Sequence, residues 1–158
     1  MRIGHGYDVH RLAPGESLVL CGVPIAFHLG TVGHSDADVA LHALMDAMLG
    51  ALALGDIGRY FPDTDPAYRG ISSLKLLESV RERCAQAGYV LANADITILA
   101  QQPKLAPHIP QMRAVTARAL GVEVGQISVK ATTEERLGFT GAMEGIAAHA
   151  VVLLEPRG

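Results

Sequence analysis

The amino-acid sequence predicts an α/β protein with the two-layer α+β sandwich fold, in which a mixed β-sheet carries helices on one face. Two observations lead to this prediction. Strand-like and helix-like segments alternate along the chain, and the 158 residues are 49% hydrophobic and 18% charged, which suits one compact domain over residues 1–158. A chain of this length buries enough apolar surface for a sizeable core.

The first half of the chain is predicted to hold two strands and one helix. Residues 2–10 and 17–27 have strand-like composition, and "APGES" between them supplies the turn of a hairpin. A loop through Gly30 and Gly33 leads into a helix over residues 35–54. This half would therefore place a hairpin beside a long apolar helix.

The second half begins with a long acidic connection, residues 55–70, that Gly and Pro interrupt. Loops of this length are uncommon in compact domains and are often functional. The later segments show helical or alternating spacing, with serine, proline and glycine at the helix ends. They predict helices over 72–88 and 107–121, a strand over 89–100, and strands at "ISVKAT" and "IAAHAVVLLE" on either side of the Gly-rich "TEERLGFTGAMEG".

The last predicted strand is apolar on both of its faces. One side carries Ile146, Ala148, Ala150 and Val152, and the other carries Ala147, Val151 and Leu153. The helices suffice to cover one face of the sheet, so the second apolar face should be covered in another way. Self-association in a closed symmetric oligomer is the simplest cover.

Charge and composition exclude several classes of protein. The net charge of −3 and the pI near 6.1 argue against electrostatic capture of nucleic acid or of an anionic membrane. The two cysteines, Cys21 and Cys84, form no CxxC motif and are interpreted as small core residues. His42 and Asp46 interrupt the apolar run over 39–54, and the N-terminal residues lack a signal-peptide pattern, so we expect a cytoplasmic protein.

A possible metal site begins in "GHGYDVHRL". Asp8 and His10 lie two residues apart, so an extended strand presents both side chains on one face. A catalytic zinc usually takes three protein ligands, and His42 is the first candidate for the third, on a helix face shared with Asp38 and Asp46. The alternative from the residues alone is a solvated strand end and a hydrogen-bonded core histidine.

The segment "GHSDAD" at the start of the first helix could bind an anion. Gly33, His34 and Ser35 lie where backbone N–H groups of a helix have no partner within the helix. The alternative is that Ser35 or Asp36 caps the helix. Hydroxyl-binding carboxylates follow in "GDIGRYFPDTD", where Asp56 and Asp63 could orient a polyol.

The segment "VKATTEERLGF" combines hydroxyls with a carboxylate. Thr132 and Thr133 end a strand and could contact phosphate oxygens, and Glu135 offers a hard oxygen ligand for magnesium or manganese. A cluster of capping side chains at the end of the strand is the alternative.

Four blocks, "GHGYDVHRL", "GHSDADVALHALMDAMLGALALGDIGRYFPDTD", "AQQPKLAPHIPQMR" and "VKATTEERLGFTG", together resemble the 2-C-methyl-D-erythritol 2,4-cyclodiphosphate synthases of the non-mevalonate isoprenoid pathway. The resemblance covers essentially the whole chain. It implies a phosphorus–oxygen lyase that converts 4-diphosphocytidyl-2-C-methyl-D-erythritol 2-phosphate to the 2,4-cyclodiphosphate and CMP.

The resemblance also implies ligands and residue roles. Asp8, His10 and His42 match the zinc ligands, one ion per subunit, and Glu135 matches the ligand of a Mg²⁺ or Mn²⁺ ion on the diphosphate. His34 and Thr133 match the catalytic positions. Substrate binding is implied for Asp8, His10, His34, Ser35, Asp56, Ile57, Gly58, Phe61, Asp63, Ala100, Lys104, Leu105, Ala106, Thr132, Thr133, Glu135 and Phe139.

The family forms homotrimers with active sites between neighbouring subunits, so the resemblance implies a trimer that takes a small cytidine diphosphate substrate. Ala142 and Met143 stand where the family often carries Arg and Gly, so anion binding in a cavity on the trimer axis is not implied. Two alternatives from other classes are a metal-dependent phosphohydrolase and a nucleotide-binding regulator without catalysis.

Overall fold

A computed structural model describes all 158 residues and confirms the predicted mixed sheet with helices on one face. The strands are β1 Arg2–Pro14, β2 Leu18–Leu20, β3 Val23–Ile25, β4 Leu29–Thr31, β5 Tyr89–Leu99, β6 Ile127–Thr132 and β7 Gly145–Pro156. The helices are α1 Val39–Ala51, α2 Ile57–Tyr60, α3 Ser73–Gln86, α4 Ile109–Leu120 and α5 Gly138–Gly141, with 3₁₀ turns at Pro66–Tyr68, Ala106–His108 and Val124–Gln126.

The main sheet has five strands in the order β4-β1-β7-β5-β6. β1 runs antiparallel to both β4 and β7, and β7 runs antiparallel to β5. Only β5 and β6 are parallel. Because the carboxyl ends of parallel neighbours meet at one edge, the residues that follow β5 and β6 are brought together there.

Helix α1 lies unusually close to β1. At Gly4 and at Gly6, an added Cβ would lie 1.9 Å from a backbone carbonyl oxygen of α1, so only glycine permits this approach. The close packing brings His42 on α1 over the segment of β1 that carries Asp8 and His10. None of the helices combines the length and the hydropathy needed to cross a membrane.

The segment 17–27 is not one strand, and the turn of the hairpin is not at "APGES". The segment itself folds into the β2–β3 hairpin around Cys21 and Gly22, whose φ angles are 49° and 73°. Two consecutive positive φ angles are typical of the two-residue turn that suits the twist of antiparallel strands. Strand β1 therefore pairs with β4 and β7 rather than with this segment.

Helix α1 is shorter at both ends than the predicted 35–54. Neither Ser35 nor Asp36 caps it. The N-cap is Asp38, which is fully buried and accepts hydrogen bonds from the first turn of the helix and from both amides of the Cys21–Gly22 turn. The hairpin and the helix thus share one carboxylate, which sets where the helix begins.

The connection 55–70 is not simply a loop, because it contains α2 and the 3₁₀ turn Pro66–Tyr68. Asp46 of α1 accepts a hydrogen bond from the amide of Ile57 at 2.8 Å, which attaches α2 to α1. The remaining predicted helices and strands agree with the structure to within a few residues.

The sheet face away from the helices is open in the single chain. Along β7, Val152 is 1% exposed and lies under the helices, whereas Val151 is 41% exposed on the open face. Ile3 and Tyr7 of β1 are exposed on the same face, opposite Leu153 and His149 of β7. In the folded single chain, β7 therefore has one face buried under the helices and one face with apolar residues exposed to solvent.

Candidate metal centre and active-site cleft

Three side chains meet at one point between β1 and α1. Asp8 Oδ2 lies 3.0 Å from His10 Nε2 and 3.1 Å from His42 Nδ1, and the two ring nitrogens are 3.1 Å apart. Asp8 and His10 share a face of β1 because they are two residues apart, and His42 comes from the first turn of α1. The sequence spacing and the glycines under α1 together produce this triangle.

Hydrogen bonds on the far side of each imidazole fix its orientation. His10 Nδ1 donates to the carbonyl oxygen of Val32 at 2.8 Å, so Nε2 is the nitrogen that can bind a metal once the ring is neutral. His42 Nε2 lies 3.0 Å from Ser73 Oγ and 3.2 Å from Ser35 Oγ. Such outer hydrogen bonds are the usual support of metal-binding histidines.

The two histidines stabilise the ionised form of the Asp8 carboxyl. Burial raises the pKa of the Asp8 carboxyl, but hydrogen bonds from His10 and His42 and the charges of these rings outweigh burial and lower it to about 2. Burial lowers the pKa of His10, but its hydrogen bond and charge interaction with Asp8 outweigh burial and raise it. The triangle therefore attracts a positive charge between its three atoms.

These residues fit a zinc ion. Two imidazole nitrogens and one carboxylate oxygen form one of the ligand sets of catalytic zinc, and tetrahedral ligands 2.0–2.1 Å from zinc lie about 3.3 Å apart. All potential ligand atoms of the cluster lie within 4.8 Å of one another. The cluster also lines a cleft of about 380 Å³, so a fourth position would face a bound molecule.

The cleft is built around the triad by the segments before α1 and after α2. The His34 ring donates a hydrogen bond from Nε2 to the carbonyl oxygen of Asp65 at 3.0 Å, and the Gly70 amide donates to the carbonyl oxygen of His34 at 2.8 Å. These bonds hold the segment after α2 against the residues that precede the N-terminus of α1. The rings of Phe61 and Tyr68 meet edge to face at 5.4 Å and form an apolar wall.

Most residues predicted for this part of the site line the cleft. They are Asp8, His10, His34, Ser35, His42, Ile57, Gly58, Phe61 and Asp63. Asp56 does not line it, because its carboxylate caps α2 through the amide of Arg59 at 3.1 Å. Asp38 and Asp46, predicted to share a polar face with His42, bind backbone amides elsewhere and stay outside the ligand cluster.

A second recess of about 200 Å³ lies at the edge where β5 and β6 end. The Ala100 amide donates to the carbonyl oxygen of Thr132 at 3.0 Å, which joins the two segments. Its lining includes six of the residues for which the resemblance implies substrate binding, namely Ala100, Lys104, Leu105, Ala106, Thr132 and Thr133. The recess and the cleft share no lining residue, so they are two separate pockets of one chain.

Glu135 and Phe139 lie in the exposed segment after β6. Glu135 has a φ of 53° and its amide bonds Thr133 Oγ1 at 3.3 Å, but its carboxylate is not among the ligand atoms of the triad. Phe139 does not line the cleft, but it lines another recess that includes His10. Within one chain, therefore, Glu135 belongs neither to the ligand cluster nor to the lining of the cleft.

Two polar residues behind the triad were absent from the sequence-based prediction. Asp36 and Ser73 bond each other and reach His42 from behind, although 37 residues separate them in the chain. No local spacing links them, so only a prediction of how α3 packs against α1 could have found this contact. Tyr68 was also missed as a wall of the cleft.

The chain resembles proteins of one family in both sequence and structure. The profile of the YgbB family matches residues 1–155. The 2-C-methyl-D-erythritol 2,4-cyclodiphosphate synthase of Trichlorobacter lovleyi is 63% identical over 157 residues, which are 99% of this chain and 100% of that protein.

Solved structures agree with these sequence matches. A 2C-methyl-D-erythritol-2,4-cyclodiphosphate synthase in a CDP-bound form has a TM-score of 0.90 at 40% identity, over 98% of this chain and 100% of that chain. The bifunctional IspDF of Campylobacter jejuni has a TM-score of 0.95 at 41% identity, over 98% of this chain and 42% of that longer chain.

Proposed function

The chain belongs to the YgbB family, and from that premise we propose that it converts 4-diphosphocytidyl-2-C-methyl-D-erythritol 2-phosphate to 2-C-methyl-D-erythritol 2,4-cyclodiphosphate and CMP. The reaction makes it a phosphorus–oxygen lyase. The observation that carries the proposal is the cluster of Asp8, His10 and His42, which lines a cleft large enough for a small phosphorylated polyol.

The nucleophile belongs to the substrate. An oxygen of its 2-phosphate attacks the β-phosphorus, a new P–O bond closes the ring, and the bond from the β-phosphorus to the bridging oxygen breaks, so that CMP leaves with that oxygen. The attacking phosphate is already an anion at neutral pH, so no general base is required. The protein has to align two anionic groups and to neutralise the charge that develops between them.

Each part of the site contributes to that task. Asp8, His10 and His42 would hold Zn²⁺ and Glu135 would hold Mg²⁺ or Mn²⁺, and these ions supply Lewis-acid stabilisation of the phosphate charge. His34 and Thr133 would donate hydrogen bonds to phosphate oxygens. Asp63 and the amides near Gly58 would orient the methylerythritol hydroxyls, while the recess from Ala100 to Ala106 would take the cytidine.

We further propose that the active enzyme is a homotrimer. The cytidine recess and the metal cleft share no residue within one chain, and the apolar sheet face is uncovered. A threefold arrangement that packs the open faces around an axis would cover them. It would also allow the recess of one subunit, with Thr133 and Glu135, to complete the metal cleft of its neighbour.

Phosphorus NMR of the purified protein with the cytidylyl substrate and Mg²⁺ tests the function. The expected result is CMP together with the two coupled phosphorus signals of a cyclic diphosphate. A metal-dependent phosphohydrolase would release CMP without a cyclic product, because water would be the nucleophile. A nucleotide-binding regulator would bind the substrate and leave its spectrum unconverted. Either of these two spectra would contradict the proposal.

A further inference from the structure

We propose that Asp36 and Ser73 are positioning residues that favour the zinc-binding tautomer of His42, protonated at Nε2, over the tautomer protonated at Nδ1, and that they thereby raise the zinc affinity of the triad. The inference rests on the metal-binding part of the proposed function and is independent of the reaction. It assigns a role to two side chains outside the ligand set.

Ser73 is the first residue of α3 and is fully buried behind His42. Its Oγ lies 3.0 Å from His42 Nε2 and 2.5 Å from Asp36 Oδ1. Asp36 Oδ2 also accepts the backbone amide of Ser73 at 2.9 Å. The Asp36 carboxylate therefore accepts hydrogen bonds from both the backbone amide and the hydroxyl of Ser73. These bonds hold the Ser73 hydroxyl between Asp36 and the His42 ring.

The direction of these hydrogen bonds follows from the groups involved. An ionised carboxylate can only accept, so the single hydroxyl proton of Ser73 points to Asp36. The lone pairs of Ser73 Oγ then face His42, and a bond at 3.0 Å requires His42 Nε2 to donate. A neutral imidazole carries one N–H, so this bond favours a free lone pair on His42 Nδ1, the form that can bind zinc. It competes with Asp8, whose Oδ2 lies 3.1 Å from His42 Nδ1 and, as an acceptor, favours a proton on Nδ1 when no metal is bound.

Ser35 does not set this direction by itself. Its Oγ lies 3.2 Å from His42 Nε2 and accepts the amide of Ala37 at 3.2 Å, but no acceptor in the structure holds the Ser35 proton. The hydroxyl of Ser35 could therefore donate or accept toward His42. Only Ser73 has its proton committed elsewhere.

The two histidines of the triad would thus be supported in their zinc-binding form by different means. The carbonyl of Val32 can only accept, so it fixes the tautomer of His10 directly. His42 faces the hydroxyl of Ser73 instead of a carbonyl oxygen, and a hydroxyl can either donate or accept. It acts as an acceptor toward His42 only if it donates its own proton to a third group. Asp36 is that group.

The first test measures zinc affinity of the full-length protein by competition with a chromophoric chelator. Ser73→Ala should weaken zinc binding by about 10-fold to 100-fold, the usual effect of removing an outer partner of a metal-binding histidine. His42→Ala marks the effect of losing the ligand itself. No substrate is present, so the outcome does not depend on whether the proposed reaction occurs.

Ser72→Ala is the matched control. Ser72 precedes Ser73 and caps α3 through the amide of Leu74 at 3.3 Å, without touching His42. Its loss should lower the thermal midpoint and leave zinc affinity unchanged. If Ser72→Ala and Ser73→Ala weaken zinc binding equally, the effect comes from the start of α3, and the proposal is wrong.

The second test reads the tautomer directly, by long-range ¹H–¹⁵N NMR of the metal-free protein. Wild-type His42 should carry its proton on Nε2 in a larger fraction of molecules than Asp36→Asn does. In Asp36→Asn the new amide can donate to Ser73 Oγ, which frees the Ser73 proton for His42 Nε2 and should shift the ring toward the Nδ1–H tautomer with weaker zinc binding. If the metal-free wild type shows no His42 protonated at Nε2, the proposal fails whether or not the variants fold, and it also fails if folded Asp36→Asn has the tautomer ratio and zinc affinity of the wild type.

Discussion

At the scale of single residues, Asp8 and His10 make the triad sensitive to pH. The lowered pKa of Asp8, about 2 against an ordinary 3.8, stabilises the metal-free fold above pH 3.8, and this contribution is lost as the pH falls toward 2. The raised pKa of His10 stabilises the metal-free fold below 6.5, and this contribution is lost as the pH rises through the raised value. The ion pair therefore stabilises the metal-free chain most in mild acid.

Zinc should accordingly stabilise the fold more in mild alkali than in mild acid. Zinc requires neutral imidazoles and must displace the proton that His10 holds. We expect excess zinc to raise the thermal midpoint clearly at about pH 8 and only slightly at about pH 5, relative to EDTA. Thermal unfolding of the same sample under the four conditions measures the difference. An equal rise at both pH values would show that His10 loses no proton on zinc binding.

A substitution at Glu135 should distinguish the roles of the two metal ions of the proposed site. Glu135 is an oxygen ligand, suited to a hard cation, and it lies outside the zinc triangle of its own chain. Glu135→Ala should therefore retain its zinc, lose most of its turnover at ordinary Mg²⁺, and recover part of it at high Mn²⁺. Metal analysis and the phosphorus NMR assay give the two readouts. An unchanged rate at ordinary Mg²⁺ would remove Glu135 from the mechanism.

At the scale of elements, the position of His42 depends on the contact between α1 and β1. The helix rests on two glycines of β1, and the obstacle to any side chain there is backbone, which cannot move aside as a flexible side chain can. Strand β1 carries Asp8 and His10 in the same stretch. Packing of one helix on one strand therefore fixes both the core and the metal site.

Gly6→Ala should weaken both stability and zinc binding. Its Cβ would lie 1.9 Å from the carbonyl oxygen of Ala43, beside His42, so α1 must shift away from β1. Overpacking of this kind costs about 3 kcal/mol or more when backbone must move. Chemical denaturation and chelator competition measure the two effects, and zinc binding that stays at the wild-type level would show that His42 does not depend on this contact.

Gly50→Ala is the control on the same helix. The nearest atom to its added Cβ is a carbonyl oxygen at 4.0 Å, so there is room for a methyl group. Alanine in a helix interior should stabilise by about 0.5–1 kcal/mol relative to glycine. Zinc affinity should not change.

Regular elements and local ligand pairs could be predicted from the sequence. Apolar spacing located the helices at 72–88 and 107–121 because each buries one face against the sheet, and the Asp8–His10 pair follows from the two-residue period of a strand. These features depend on residues that are neighbours in the chain.

Features that depend on distant residues were not predicted. The β2–β3 hairpin turns at Cys21, a residue with no intrinsic preference for a positive φ, and the turn is held by hydrogen bonds to the distant Asp38. The same contact moves the start of α1 from Ser35 to Val39. The link from Asp36 through Ser73 to His42 likewise exists only once α3 packs beside α1.

At the scale of the whole molecule, two features of the single chain support the proposed trimer. Its apolar sheet face is exposed along β1 and β7, with Ile3 at 74% and Val151 at 41%. The recess proposed for cytidine and the cleft of the triad are separate. One assembly would account for both features, because covering the sheet face brings a second chain against the strands that carry the ligands.

Val151→Glu tests that assembly. Val151 faces out of the sheet and Val152 is buried beneath the helices, so the substitution places a carboxylate on the open face without disturbing the core. In a closed trimer three such carboxylates would be buried near one another, which is costly without partners. Light scattering at micromolar concentration should give about three times the chain mass of 16.7 kDa for the wild type, and a mass near one chain for the variant.

Val124→Glu provides the control, since Val124 is 42% exposed in a 3₁₀ turn outside the sheet, and this variant should remain trimeric and active. Val151→Glu should lose turnover together with its assembly, because each proposed site draws on two chains. It should retain its zinc, because all three ligands come from one chain. A wild-type mass near 16.7 kDa would contradict both the trimer and the shared site, and an active monomeric variant would contradict the shared site alone.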